Sequence, residues 1–226
     1  MKIEIWSDVM CPFCYIGKKN FETALNQIPY KDKIQVIWKS FQLDQELSKS
    51  EPTPAKEYFS KKGYSEEQVA AMKPRLAEMG SAAGITFNDE TIMINTSDAH
   101  RLIQFGQSKG LGNEIEEALF KAYFTDQKNV ADYTTLAEIG EEVGLNKSEI
   151  LAMLDSDAYV FEVASDILDG RNIGVTGVPF FVVDRKYALS GAQPVEYFVS
   201  ALTQAYEKDH LPNEGQGEAC SVDGNC

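Results

Sequence analysis

A chain of 226 residues can bury a sizeable core without covalent staples, as one large domain or two small ones. Its composition, 43% hydrophobic and 25% charged, is that of an ordinary globular protein, and a formal charge of −14 argues against nucleic acid or an anionic membrane as partner, since both demand clustered Lys and Arg. No apolar run reaches membrane-spanning length, and the opening MKIEIWSD has no basic segment leading into an apolar one, so the expected location is cytoplasmic.

Residues 2–7 set Ile3 and Ile5 against Lys2 and Glu4, and residues 33–38 set Ile34, Val36 and Trp38 against polar neighbours; both alternations predict strands. Between them Phe13, Ile16, Phe21, Ala24, Leu25 and Ile28 recur at helical spacing behind Pro12, a first-turn proline, which makes a β-α-β opening. From 52 to 173 the pattern is helical throughout, about six or seven helices. Ser65 with Gln68 and Asn146 with Glu149 are spaced as capping boxes, and Gly80, Gly84, Gly110 and Gly144 as helix stops. Strand texture returns at GVPFFVVD (177–184) and KYALSG (186–191). A last helix over 193–207 follows, with Val195, Phe198, Val199, Leu202 and Tyr206 on one stripe, and beyond Leu211 the chain is polar and glycine-rich.

The four cysteines form two local pairs, Cys11 with Cys14 and Cys220 with Cys226, unlike the dispersed framework of a disulfide-stapled secreted domain. In a reducing compartment such pairs serve chemistry or metal binding more often than structure. Cys11 stands where a strand ends and a helix begins, against unsatisfied N–H groups and the positive end of the helix dipole, which favour thiolate over thiol. Cys14, one turn on, can reach back and resolve a mixed disulfide formed at Cys11. The competing readings are weaker: one Cys-x-x-Cys is half a zinc site, and His100, which a Cys–His site would need, lies in the helical stretch SDAHRLIQF and is expected to be an ordinary helix residue. Lys18 and Lys19 are read as a solvated face more than as a source of positive potential, Asp8 as an exposed strand-end acid more than as a buried carboxylate moving protons for Cys14, and Trp6, Phe13, Tyr15 and Trp38 as core packing more than as a substrate groove.

Val178-Pro179 precedes a buried strand, a position open to either a cis bond or a trans proline that starts the strand. Taken together, SDVMCPFCYIGKK, WKSFQLD, AHRLIQFGQSKG with EALFKAYFTD, and GVTGVPFFVVDRKYALSGAQP resemble the DsbA-like thioredoxin-fold family, particularly its FrnE branch, over about residues 1–207. The resemblance implies an α/β thioredoxin-like domain from residues 1–51 and 174–211, a helical insertion over 52–173 and a cysteine-bearing tail over 212–226. It also implies a cis Val178-Pro179 bond beside Cys11, with Val178 and Pro179 docking an extended substrate, and no cofactor. The activity implied is thiol–disulfide exchange with proteins or with small thiols such as glutathione.

The kappa-class glutathione transferases and 2-hydroxychromene-2-carboxylate isomerases share that fold but carry serine where Cys11 stands. A glutathione-dependent isomerase or transferase is therefore the alternative reading, and a redox-sensing or zinc-binding module the third. Cys220 and Cys226 enclose SVDGN, whose Asp223-Gly224 is a good turn, and are read as an accessory redox pair ahead of an inert end or part of a metal site.

Overall fold

Four strands form the sheet at the centre of the molecule, and they come from opposite ends of the chain. β1 (Lys2–Ser7) lies between β2 (Gln35–Ser40), with which it runs parallel, and β5 (Phe180–Val183), with which it runs antiparallel; β6 (Tyr187–Ser190) completes the order β2-β1-β5-β6. The computed structural model describes residues 1–88 and 91–210; the expected tail, with Cys220 and Cys226, lies outside the described residues. β2 begins two residues later than the alternation predicts, because Lys31–Lys33 wind into a 3-10 turn first.

Alternate residues of β1 and β5 face two different layers. Ile3, Ile5 and Phe181 turn toward α1 (Pro12–Leu25) and α9 (Val195–His210), where Phe21, Phe181 and Phe198 meet with ring centroids 4.8–5.7 Å apart. Burial of each such ring contributes roughly 1.5–3 kcal/mol. Trp6 and Val182 turn the other way, toward α8 (Val160–Asn172), where Trp6 Nε1 donates to the Asp166 carbonyl at 2.9 Å. The helix comes that close because Gly170 faces the indole: a Cβ there would sit 2.6 Å from Nε1. This second covered face takes in Glu4, the polar residue that alternates with Ile3 and Ile5. Glu4 is buried, held by Lys2 at 3.2 Å and by the Arg185 guanidinium.

Between β2 and β5 the chain is helical: α2 (Ala55–Lys61), α3 (Glu66–Ala82), α4 (Ser97–Ser108), α5 (Gly112–Phe124), α6 (Tyr133–Glu142), α7 (Lys147–Leu154) and α8, broken among the described residues by a two-residue antiparallel ladder of β3 (Thr53–Pro54) with β4 (Ile92–Met93). Ser65 and Gln68 close the predicted capping box at the start of α3. Asn146 caps α7 by accepting from Ser148 and Glu149, but Glu149 spends its carboxylate on Lys109 at 2.9 Å. Gly84, Gly110 and Gly144 stop helices at positive φ, as expected. Gly80 does not: it lies inside α3, where Phe87 packs so closely that a Cβ would stand 2.4 Å from the ring.

The helical segment and the sheet share a core. Buried side chains of β1, α1, β5 and α9 belong to one continuous cluster with those of α4, α5, α6 and α7. The segment also seals the open edge of β2, where the Gln107 amide donates to the Trp38 carbonyl at 2.9 Å and accepts from its N–H at 2.8 Å, standing in for a neighbouring strand.

Candidate active site

The Cys-Pro-Phe-Cys stretch turns the corner from β1 into α1. Cys11 is the N-cap residue, with extended dihedrals (φ −91°, ψ 111°), and Pro12 opens the helix, where its missing N–H costs nothing. The corner is pinned by the backbone: Cys11 N–H donates to the Asp8 carbonyl at 2.9 Å and Cys14 N–H to the Cys11 carbonyl at 3.0 Å. No side chain caps the helix, so the Cys11 sulfur stands against its positive end. Both cysteines are free thiols, Cys14 within the core at 1% exposure and Cys11 at 4%. Burial pushes the Cys14 thiol well above its ordinary value, Cys11 adds to the rise, and the Asp8 amide and Ser7 hydroxyl oppose it. When reduced, Cys14 is a thiol.

The far end of the chain meets this corner. Val178-Pro179 is a cis bond, and the Val178 carbonyl oxygen lies 3.5 Å from the Cys11 sulfur. Pro179 is itself held by Gly191, whose N–H donates to the Pro179 carbonyl at 2.8 Å. Gly17 on α1 admits the ring: a Cβ at residue 17 would lie 2.9 Å from Pro179 Cγ. Residues 11, 14, 178 and 179, singled out from the sequence, therefore converge in one place.

A DSBA-like thioredoxin domain model matches residues 2–203. The chain belongs to that family. Within it, a Streptomyces coelicolor protein described as a probable DsbA oxidoreductase is 37% identical, with a TM-score of 0.88 over 99% of this chain and 97% of that one. The uncharacterized protein YwbO of Bacillus subtilis is 26% identical over 208 residues, 91% of this chain and 98% of its own. A 2-hydroxychromene-2-carboxylate isomerase structure, 14% identical over 92% of this chain and 97% of that one with a TM-score of 0.73, carries a likeness of fold alone.

Several sequence readings around this DSBA-like corner are corrected by what packs beneath it. Asp8 is fully buried rather than exposed, because the chain after β1 dives under the loop at Leu43 and the start of α4. Its carboxylate accepts from Leu43 N–H at 2.7 Å, Thr96 Oγ1 at 2.8 Å and Met10 N–H at 3.3 Å. His100 is indeed a helix residue, but a buried one, its Nε2 3.5 Å from Asp8 Oδ1, and neither ring nitrogen makes a hydrogen bond among the described residues. Lys18 is not on a solvated face. It is 1% exposed, clamped between Glu22 at 2.5 Å and Glu117 at 2.8 Å, because that flank of α1 lies against α5. Of the four aromatics read as core, Trp6, Tyr15 and Trp38 are buried, while Phe13 stands 43% exposed beside the cysteines.

Glu116 and its hydrogen-bond donor Ser7 were not singled out in advance. Ser7 Oγ donates to Glu116 Oε1 at 2.7 Å, and both are buried. Burial pushes the Glu116 carboxyl up to about 7, the Asp8 charge adding to the rise and the Ser7 hydroxyl, His100 and Lys18 opposing it. A sequence signal for Glu116 existed: it occupies the same helical stripe as Leu119, Phe120 and Tyr123, where a carboxylate has to be buried. No local pattern couples it to Ser7, which is 109 residues away.

Proposed function

We propose that the protein is a thiol–disulfide oxidoreductase in which Cys11 attacks a substrate disulfide and Cys14 resolves the mixed disulfide. The observation that carries the reading is the Val178 carbonyl, just before the cis proline, 3.5 Å from the Cys11 sulfur, with a second thiol buried behind it. Of the two buried thiols, Cys11 is the one that lies against the Val178 backbone, and Cys14 sits deeper in the core. Val178 and Pro179 then offer backbone to an extended substrate segment, and membership of the DSBA-like family supports the same assignment. Substrates of this class are proteins or small thiols such as glutathione, with no cofactor, and cysteine in place of serine at residue 11 sets the chain apart from glutathione-dependent isomerases. The compartment we propose is the cytoplasm, where a close cysteine pair serves chemistry more often than structure. Residues 52–173 are proposed as the insertion into the thioredoxin-like frame, and Cys220 with Cys226 as an accessory pair exchanging with the first.

A glutathione redox titration of the full chain, with alkylation and mapping of all four cysteines, tests this. Cys11 and Cys14 should oxidise together as one two-electron couple, with a midpoint inside the band of about −120 to −270 mV spanned by this kind of site. Cys11→Ser should abolish exchange. Cys14→Ser should stop at an adduct on Cys11. If Cys11 carries only a glutathione adduct in the wild-type chain across the whole range, the dithiol reading is wrong and glutathione-dependent isomerase or transferase chemistry replaces it.

A further inference from the structure

Resolution poses a proton problem at this site. Cys14 must become a thiolate to attack, yet it is buried, its ionisation is opposed by that burial, and it points away from bulk water. A proton acceptor has to lie inside the protein. Two groups meet the Cys14 thiol from the β1 side, the Asp8 amide and the Ser7 hydroxyl, and the amide has no place for a second proton. Ser7 can pass one on, because its Oγ already donates to Glu116 Oε1 at 2.7 Å. Glu116 Oε2 is buried and accepts no hydrogen bond among the described residues, so the carboxylate is under-solvated and ready to gain a proton.

We propose that Glu116, acting through the Ser7 hydroxyl, is the proton acceptor for the resolving cysteine. This rests on the exchange chemistry proposed above. When Cys14 attacks, its sulfur bonds to the Cys11 sulfur and the bond from Cys11 to the substrate sulfur breaks, its electron pair leaving on the substrate as thiolate. The Cys14 proton moves to Ser7 Oγ as the Ser7 proton moves to Glu116 Oε1. The dithiol ends as a disulfide, the substrate as thiolate, and the proton is stored on Glu116. In the reverse direction an external thiolate reopens the disulfide at Cys11, Cys14 leaves as thiolate, and the same proton returns to it. Ser7 donates to Glu116 in the dithiol state, and in the disulfide state its freed hydroxyl proton can turn to the Cys14 sulfur.

The other charged groups facing Glu116 suit that task. Burial and Asp8 after β1 disfavour its charge, His100 on α4 and Lys18 on α1 favour it, and the balance leaves the carboxyl at about 7, where gaining and losing a proton are comparably easy. Asp8 does not compete for the role. Its carboxylate already accepts three hydrogen bonds, from Leu43 N–H, Thr96 Oγ1 and Met10 N–H, and the Ser7 hydroxyl donates to Glu116 instead.

The test is stopped-flow reaction of the reduced full-length chain, with Cys220→Ser and Cys226→Ser, against dithiobis(nitrobenzoate), a symmetric disulfide that releases one coloured thiolate on attack by Cys11 and a second on resolution by Cys14. Glu116→Gln should slow the second release about 100-fold near neutral pH. It should also remove the inflection near 7 from the pH profile of that step, while the first release keeps its rate. Ser7→Ala should slow the same step and leave Glu116 in place, which keeps the proposal testable if the Gln variant folds poorly. A second release unchanged in either variant overturns the proposal, as does equal slowing of both releases. Absence of the second release in the chain with Glu116 and Ser7 intact would instead overturn the dithiol function itself.

Discussion

The inner and outer flanks of α5 carry adjacent carboxylates, Glu116 and Glu117, which end in opposite states. On the outer flank, burial pushes the Glu117 carboxyl up but Lys18 and Lys19 outweigh it, and the group is held below the usual carboxylate range. On the inner flank burial of Glu116 outweighs the Ser7 hydroxyl, His100 and Lys18, and the carboxyl is pushed up. One residue of helical rotation separates a partly buried ion pair, which fastens α5 to α1, from a buried acid aimed at the cysteine corner. The lesson is that charge in this protein is set by what lies across the interface and not by its immediate sequence, since EIEEALF treats the two acids alike.

The strongest way to break this arrangement is to remove the wall between the flanks. Phe120 is fully buried and stacks on Tyr15 with centroids 5.0 Å apart. Phe120→Ala should cost about 3–5 kcal/mol. Because the helical segment and the sheet share one core, urea unfolding should keep a single transition. Two separated transitions would show that the segments fold independently.

Glu116→Gln comes next, read through pH. A carboxyl raised in the folded state from the ordinary value of 4.5 to about 7 contributes stability that is fully present below 4.5 and is lost as pH rises through 7. The variant lacks that loss. Its stability relative to wild type should therefore climb by about 3 kcal/mol between acid and pH 8, each tenfold change in proton affinity being worth about 1.4 kcal/mol. Urea unfolding across that range measures it, and a difference that stays flat with pH would mean Glu116 is not held neutral.

Glu117→Gln should be milder, about 1–2 kcal/mol at low salt, because Lys18 keeps Glu22 and the lost pair is 30% exposed on the carboxylate side. Added salt should shrink the difference between the two chains. Gly17→Ala should have the smallest effect on stability, less than about 1 kcal/mol, since alanine favours a helix and the clash is with one ring carbon. Its consequence is for exchange. By pressing Pro179 away from α1 it should slow the first step in dithiobis(nitrobenzoate) kinetics by several-fold, and an unchanged first step would mean that this contact does not set the docking geometry.

Much of this was legible along the chain. The alternation of Ile3 and Ile5, the stripe from Phe13 to Ile28, the apolar run after Pro179 and the stripe from Val195 to Tyr206 are local periodicities, and each became the element expected of it. The cysteine pair was equally plain, because Pro12 and the strand end before it place Cys11 at a helix start by geometry that needs no other part of the protein. What misled was polarity read one residue at a time. Asp8, Lys18 and Glu4 look like surface residues in isolation, and each is buried because a segment more than 20 residues away supplies its counter-charge or donors: Leu43 and Thr96 for Asp8, Glu117 for Lys18, Arg185 for Glu4.

The sequence by itself determined the elements, the thiol pair and the family, since periodicity, capping and motif spacing are properties of neighbours in the chain. The tertiary structure decided the chemistry around those thiols: the Val178 carbonyl, 167 residues from Cys11, and the Glu116 carboxyl, 109 residues from Ser7. Those distances are closed by packing, and the burial that closes them also sets which proton each group holds.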